Sequence, residues 1–210
     1  MYRKRAAALL LLTGLCLGGC GSSETGVVPA DVELRSAVSI QKDGSIQETM
    51  EETFDSAHYN EEELKNMVLS AVAGFNASAG LGDISVEQFE HKEGIIAVSL
   101  NYPSDEAYTA FNTDEYNSCR LFCGTIQEAE AEGYSMDVTL TDREGTEAGA
   151  DQLQKLKNGR VVITEQPLQV TVPGKILYCS QQVVQSGKNH AYIKAEEGMD
   201  SGALHYIVFE

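Results

Sequence analysis

The 210-residue chain has no tryptophan and only 15 lysines and arginines against 32 aspartates and glutamates, a formal net charge of −17. Without a cationic footprint to neutralise phosphate, nucleic acid is not an expected partner. The same acidic balance makes the folded surface a poor ligand for anionic lipid headgroups. The missing tryptophan removes the commonest platform for stacking sugars, although nine tyrosines remain. The apolar run over residues 6–17 is too short to stay as a spanning helix, which needs roughly 20 residues. Five cysteines show no CxxC spacing, and the four histidines, His58, His91, His190 and His205, show neither HExxH nor HxH spacing. A zinc or dithiol redox site therefore has no sequence support. There is also no GxSxG nucleophile elbow and no Walker-type phosphate loop. What is there, 42% apolar and 22% charged residues, belongs to a folded chain of about one domain rather than to a disordered tail or a collagen-like fibre.

The amino terminus is the most informative segment. Arg3, Lys4 and Arg5 precede the apolar run, and Gly18 and Gly19 follow it, which is the layout of an export signal. Leu17-Gly18-Gly19-Cys20 resembles the lipobox of bacterial lipoprotein precursors, in which a cysteine behind a small residue is alkylated by diacylglycerol before cleavage. Cys16 fits that role less well, because the bulky Leu15 precedes it. The resemblance implies a signal peptide over residues 1–19, lipidation at Cys20, a flexible tether over 20–30 and one extracytoplasmic domain over 31–210. It also implies localisation at the extracytoplasmic face of the cell membrane. A two-chain thioether makes such an attachment stable where one acyl chain would not. Cleavage removes three cations and no acids, so the mature surface becomes more acidic still, and the anchor must hold it at the bilayer. The alternative is a soluble secreted protein cut after Val28-Pro29-Ala30.

Period-two alternation predicts strands at Val32, Leu34, Val38 and Ile40, and again at Ile46, Met50 and Phe54. A three-residue loop, Lys42-Asp43-Gly44, keeps both apolar faces on one side by pairing Gln41 with Ser45, Ile40 with Ile46 and Val32 with Phe54. A similar hairpin is expected about Lys92-Glu93-Gly94, again with a three-residue loop, pairing Val86 with Leu100. Between them Leu64, Met67, Val68, Ala71, Val72 and Phe75 mark a helix, capped by Asn60 and closed by Gly80 and Gly82. The Glu61-Glu62-Glu63 triplet reads as helix capping rather than as a metal site. Short helices are expected over 105–111, from the capping box Thr125-Ile126-Gln127-Glu128 to Gly133, and over 151–157. Further strands are expected at Met136, Val138 and Leu140 and over 161–164, 168–172, 175–180, 191–195 and 203–209. Hairpins without regular βαβ alternation imply an α+β fold, an antiparallel sheet packed against one long and several short helices. Val170-Thr171-Val172-Pro173-Gly174-Lys175-Ile176, taken with Asp43-Gly44-Ser45, resembles small bacterial lipoproteins with an LppM-like domain. That resemblance implies fold and tether alone and transfers no catalytic residue.

Once Cys20 is acylated, the mature chain keeps three thiols, Cys119, Cys123 and Cys179. They read as small buried hydrophobes, with a Cys123–Cys179 disulfide as the alternative. Ser39-Ile40-Gln41-Lys42 matches the SxxK of penicillin-interactive enzymes, but it falls in a strand where that motif requires a helix start. Glu128, Glu130 and Glu132 read as a solvated face rather than a calcium cage. The function expected is a non-catalytic binding, scaffolding or sensing module, without a cofactor, whose partners are the membrane through Cys20 and an unidentified envelope protein or ligand. The alternatives are an envelope hydrolase with a carboxylate pair, and a small-ligand carrier with an apolar pocket between the long helix and the sheet.

Overall fold

The parity of the first hairpin survives folding. A computed structural model describes residues 36–114, 118–156, 159–193 and 202–210, and in it β1 (Ser36–Ile40) pairs antiparallel with β2 (Ile46–Thr53), Ile40 opposite Ile46. Gln41 N–H donates to the Ser45 carbonyl at 2.8 Å, and Gly44 takes φ +91°, the left-handed position the loop needs. The expected Val32–Phe54 pair, like the signal, lipobox and tether, lies outside the described residues. α1 (Glu61–Ser78) starts where Asn60 accepts the backbone N–H groups of Glu62 and Glu63, and Gly80 follows its C-cap at φ +68°. Asn76 then grips Ile84, donating to its carbonyl and accepting its N–H, both at 2.9 Å. That pair fixes the end of α1 against the next strand.

The second hairpin corrects the expected loop. β3 (Ser85–Lys92) and β4 (Ile95–Tyr102) pair Lys92 with Ile95, so the turn has two residues, Glu93 and Gly94, both at positive φ. Such primed turns match the strand twist. Val86 still faces Leu100, because a bulge between Val86 and Gln88 shifts the register by one. The bulge has a sequence cause: Val86 and Phe89 have opposite parity, and only an extra residue puts both on the core side.

Downstream follow α2 (Asp105–Asn112), β5 (Leu121–Thr125), α3 (Ile126–Ala131), β6 (Leu140–Thr141), α4 (Ala150–Gln154) and β7 (Arg160–Thr164). The chain ends in β8 (Gln169–Thr171), β9 (Ile176–Ser180), β10 (Val183–Gln185), β11 (His190–Ile193) and β12 (His205–Phe209). The fold is α+β, with two sheets where the sequence suggested one. Seven strands run in the order β10-β11-β8-β1-β2-β4-β3, and five in the order β5-β7-β12-β9-β6. Pairing is antiparallel except between β1 and β8, where Val38 faces Val170 in parallel. The larger cluster of buried side chains joins the two sheets, from Val38 and Leu100 to Val162 and Ile207, with α1 packed on through Leu64, Val68 and Phe75. A second cluster, including Phe122, Ile163 and Val208, covers the far face of the smaller sheet. Strands covered on both faces read as continuous apolar runs.

The capping box on α3 forms in full, and the helix closes with Tyr134 N–H on the Ala129 carbonyl and Gly133 N–H on Glu130, a Schellman arrangement. The strand expected through Met136 and Val138 shrinks to β6, because β9 offers partners only to Leu140 and Thr141. Met136 and Val138 nonetheless pack on the second cluster. Pro173-Gly174 is a crossing rather than a hairpin turn, carrying the chain from β8 in one sheet to β9 in the other. A side chain at Gly174 would collide with the Glu210 carbonyl, which accepts the Lys175 N–H at 2.7 Å. Gly174→Ala is therefore expected to cost about 1–3 kcal/mol, as overpacking does, read as a lower urea midpoint with unchanged m-value.

Candidate functional site

Glu48 sits where its strand should be apolar. It occupies the core parity of β2 between Ile46 and Met50, and it is 4% exposed. Leu100 lies opposite it and Tyr102 opposite Ile46, so Tyr102 is its diagonal neighbour across the pair, within reach of a long side chain. The Tyr102 hydroxyl donates to Glu48 Oε2 at 2.7 Å. Tyr108, from α2, and Ser36, from β1, donate to Oε1 at 3.2 and 2.9 Å. Burial, reinforced by the Glu48 charge, holds both phenols well above the usual tyrosine range. The two rings meet edge to face at 5.0 Å, and Tyr102 also packs against Phe111.

α2 delivers Tyr108 because its ends are tied. Ser104 caps it by accepting the Ala107 N–H, and Asp105 Oδ2 accepts the Cys123 N–H at 2.7 Å. Thr109 Oγ1 both accepts from Leu121 N–H and donates to the Leu121 carbonyl. Side chains of α2 thereby satisfy backbone groups on the outer edge of β5, which a bare edge strand would leave unpaired. One turn beyond Tyr108, Asn112 donates to the Tyr102 hydroxyl and to the Tyr108 carbonyl.

This cluster floors a cavity of about 480 Å³, whose wall includes Met50, Asn112, Cys119, Gln166 and Leu168. It does not lie between α1 and the sheet, where the carrier alternative put a pocket. A larger groove of about 1060 Å³ lies against α3 and α4, lined in part by Ile126, Tyr134, Met136 and Leu153. Its two carboxylates, Glu130 and Asp137, are exposed.

The three thiols are free. Cys123, Val162, Ile207 and Cys179 form one row across β5, β7, β12 and β9. Three interstrand steps of about 4.8 Å separate Cys123 from Cys179 by roughly 14 Å, twice what a disulfide spans. The alternative of a bridge between them is thus corrected, and all three pack as part of the larger cluster. Burial pushes the Cys119 and Cys123 thiols up to about 11 and Cys179 to about 12. At neutral pH they are protonated and poor nucleophiles.

The other candidates are scattered. His91 Nδ1 pairs with Glu61 Oε2 and His58 Nδ1 with Asp55 Oδ2, both at 2.8 Å. His190 bonds Thr171, while His205 is fully buried with neither ring nitrogen partnered. Glu128 is spent on capping α3, where the Thr125 backbone and hydroxyl hold its carboxyl below the usual range. Ser39 lies on β1 and Lys42 in the turn after it, the strand setting expected for the SxxK match. Among the described residues no group of three or more histidines, cysteines, aspartates and glutamates could hold a metal ion. Sequence reading passed over Glu48, although an acid on the apolar parity of a strand is a visible signal. Its two phenol partners stand 54 and 60 residues away.

No protein-family model matches the chain, and no curated protein or solved structure matches it.

Proposed function

We propose that the chain is a lipid-anchored, extracytoplasmic binding module of the cell envelope, attached through Cys20. The observation that carries this reading is Leu17-Gly18-Gly19-Cys20 behind a basic head and a short apolar run. A diacyl thioether supplies an attachment that the acidic surface would not, since anionic headgroups repel it. Among the described residues no helix is long and apolar enough to cross a membrane.

Binding rather than catalysis accounts best for the cavity. Its thiol is protonated, and its buried carboxylate is immobilised by three hydroxyl donors. The cavity itself favours a small-ligand carrier as the form that binding takes, because about 480 Å³ lies within the size range of small-molecule sites.

Cys20→Ala tests the anchor. The variant is expected to lose radiolabelled palmitate incorporation and to move out of the membrane fraction, while unchanged labelling and fractionation would refute lipidation.

A further inference from the structure

We propose that the cavity beside Glu48 binds a primary alkylammonium group, a reading that rests on the chain being a binding module and names what it binds. Glu48 lines the cavity and is 4% exposed. Ser36, Tyr102 and Tyr108 all donate to its two oxygens. Its two oxygens act as the shared acceptor of the three hydroxyls. Among the described lining residues there is no lysine, arginine or histidine, so the charge is met by hydroxyl dipoles. A cation entering the cavity would gain Coulomb energy that water screens elsewhere.

Two amides set the polarity of the rest of the wall. Asn112 Nδ2 donates to the Tyr108 carbonyl at 3.1 Å, and Gln166 Nε2 to the Ser118 carbonyl at 2.8 Å. A carbonyl oxygen only accepts, so each amide turns its nitrogen to the protein, and its oxygen is the acceptor that it brings to the wall. Glu51 and Glu52 line the same cavity, and their carboxylates, with that of Glu48 and the two amide oxygens, make a wall rich in acceptors, the complement of the N–H donors on an ammonium group. Met50, Pro167 and Leu168 line the same cavity and offer apolar surface for an alkyl stem. An anion would meet acceptors of its own sign.

Ligand-observed saturation-transfer NMR on the full chain in detergent micelles tests this with n-butylamine, 1-butanol and N-acetyl-lysine amide as probes. Saturable butylamine binding is expected, with none for butanol. Glu48→Gln should weaken it roughly tenfold or more, and Gln166→Met several-fold. Should Glu48→Gln fail to fold, Gln166→Met and the alcohol control decide. Tighter binding of N-acetyl-lysine amide than of butylamine assigns the ammonium to a lysine side chain of a protein, and the reverse assigns it to a free amine. Equal binding of butanol, no saturable amine signal, or wild-type affinity in Gln166→Met overturns the proposal. Palmitate labelling is read separately, so an empty cavity on an acylated chain refutes the ligand and leaves the anchor standing.

Discussion

Glu48→Ala is expected to lower the unfolding free energy by about 2–5 kcal/mol, one of the two largest effects a single change in this protein should have. The alanine itself contributes little to that loss. The Tyr102 and Tyr108 hydroxyls are buried and aimed at the carboxylate, and each hydroxyl left without an acceptor costs about 1–3 kcal/mol. The prediction has a second half that separates it from simple cavity formation. Glu48→Leu combined with Tyr102→Phe and Tyr108→Phe removes donors and acceptor together, and replacing a whole buried polar set by apolar groups is often close to neutral. The triple variant should therefore be more stable than Glu48→Ala alone. Urea midpoints at neutral pH measure both. A triple variant weaker than the single one would show that the cluster contributes net stability rather than specificity.

Acid sensitivity near pH 6 is the second large effect, and it comes from His205. Its ring is fully buried in the middle of the smaller sheet with no hydrogen-bond partner on either nitrogen, and burial pulls its pKa below the ordinary 6.5. Above that value the imidazole is neutral in both folded and unfolded chains, and it adds no pH dependence. Below it the unfolded chain takes up a proton that the folded one refuses, so stability falls as pH falls, by up to about 1.4 kcal/mol per pH unit. The fall ends only once the pH passes the lowered folded value. His190, also pulled down by burial, adds to the same slope. Asp43, Asp55 and Glu128, all held below the ordinary carboxylate values, lose their contribution only at lower pH, as protons reach them. Urea midpoints between pH 7.5 and 5 should fall in the wild type and fall distinctly less in His205→Leu. Parallel curves for the two proteins would remove His205 as the cause.

Local rules carried the reading of this chain where partners lie close in sequence. The Asn60 cap, the Thr125–Glu128 box and the Ile40–Ile46 register each join residues no more than six apart, and backbone geometry alone dictates them. The second hairpin shows where such rules stop. A Lys-acid-Gly turn admits loops of two or three residues, and the choice fell to the bulge that reconciles Val86 with Phe89. β5 was unreadable as a strand because both of its faces are buried, which erases the alternation. The division into two sheets depends on the crossing at Pro173-Gly174, and nothing in that dipeptide distinguishes a crossing from a hairpin turn.

What sequence determined by itself is the acidic balance, the α+β class and the capped helices, since each depends on composition or on neighbours a few residues apart. Tertiary structure alone decided that Glu48 would meet two phenols, that a cavity would open beside it, and that Cys123 and Cys179 would stand too far apart to bond. Those outcomes depend on which strands become neighbours. Strand order is settled by burying both sheets against one shared cluster, a collective property that no local stretch of residues encodes.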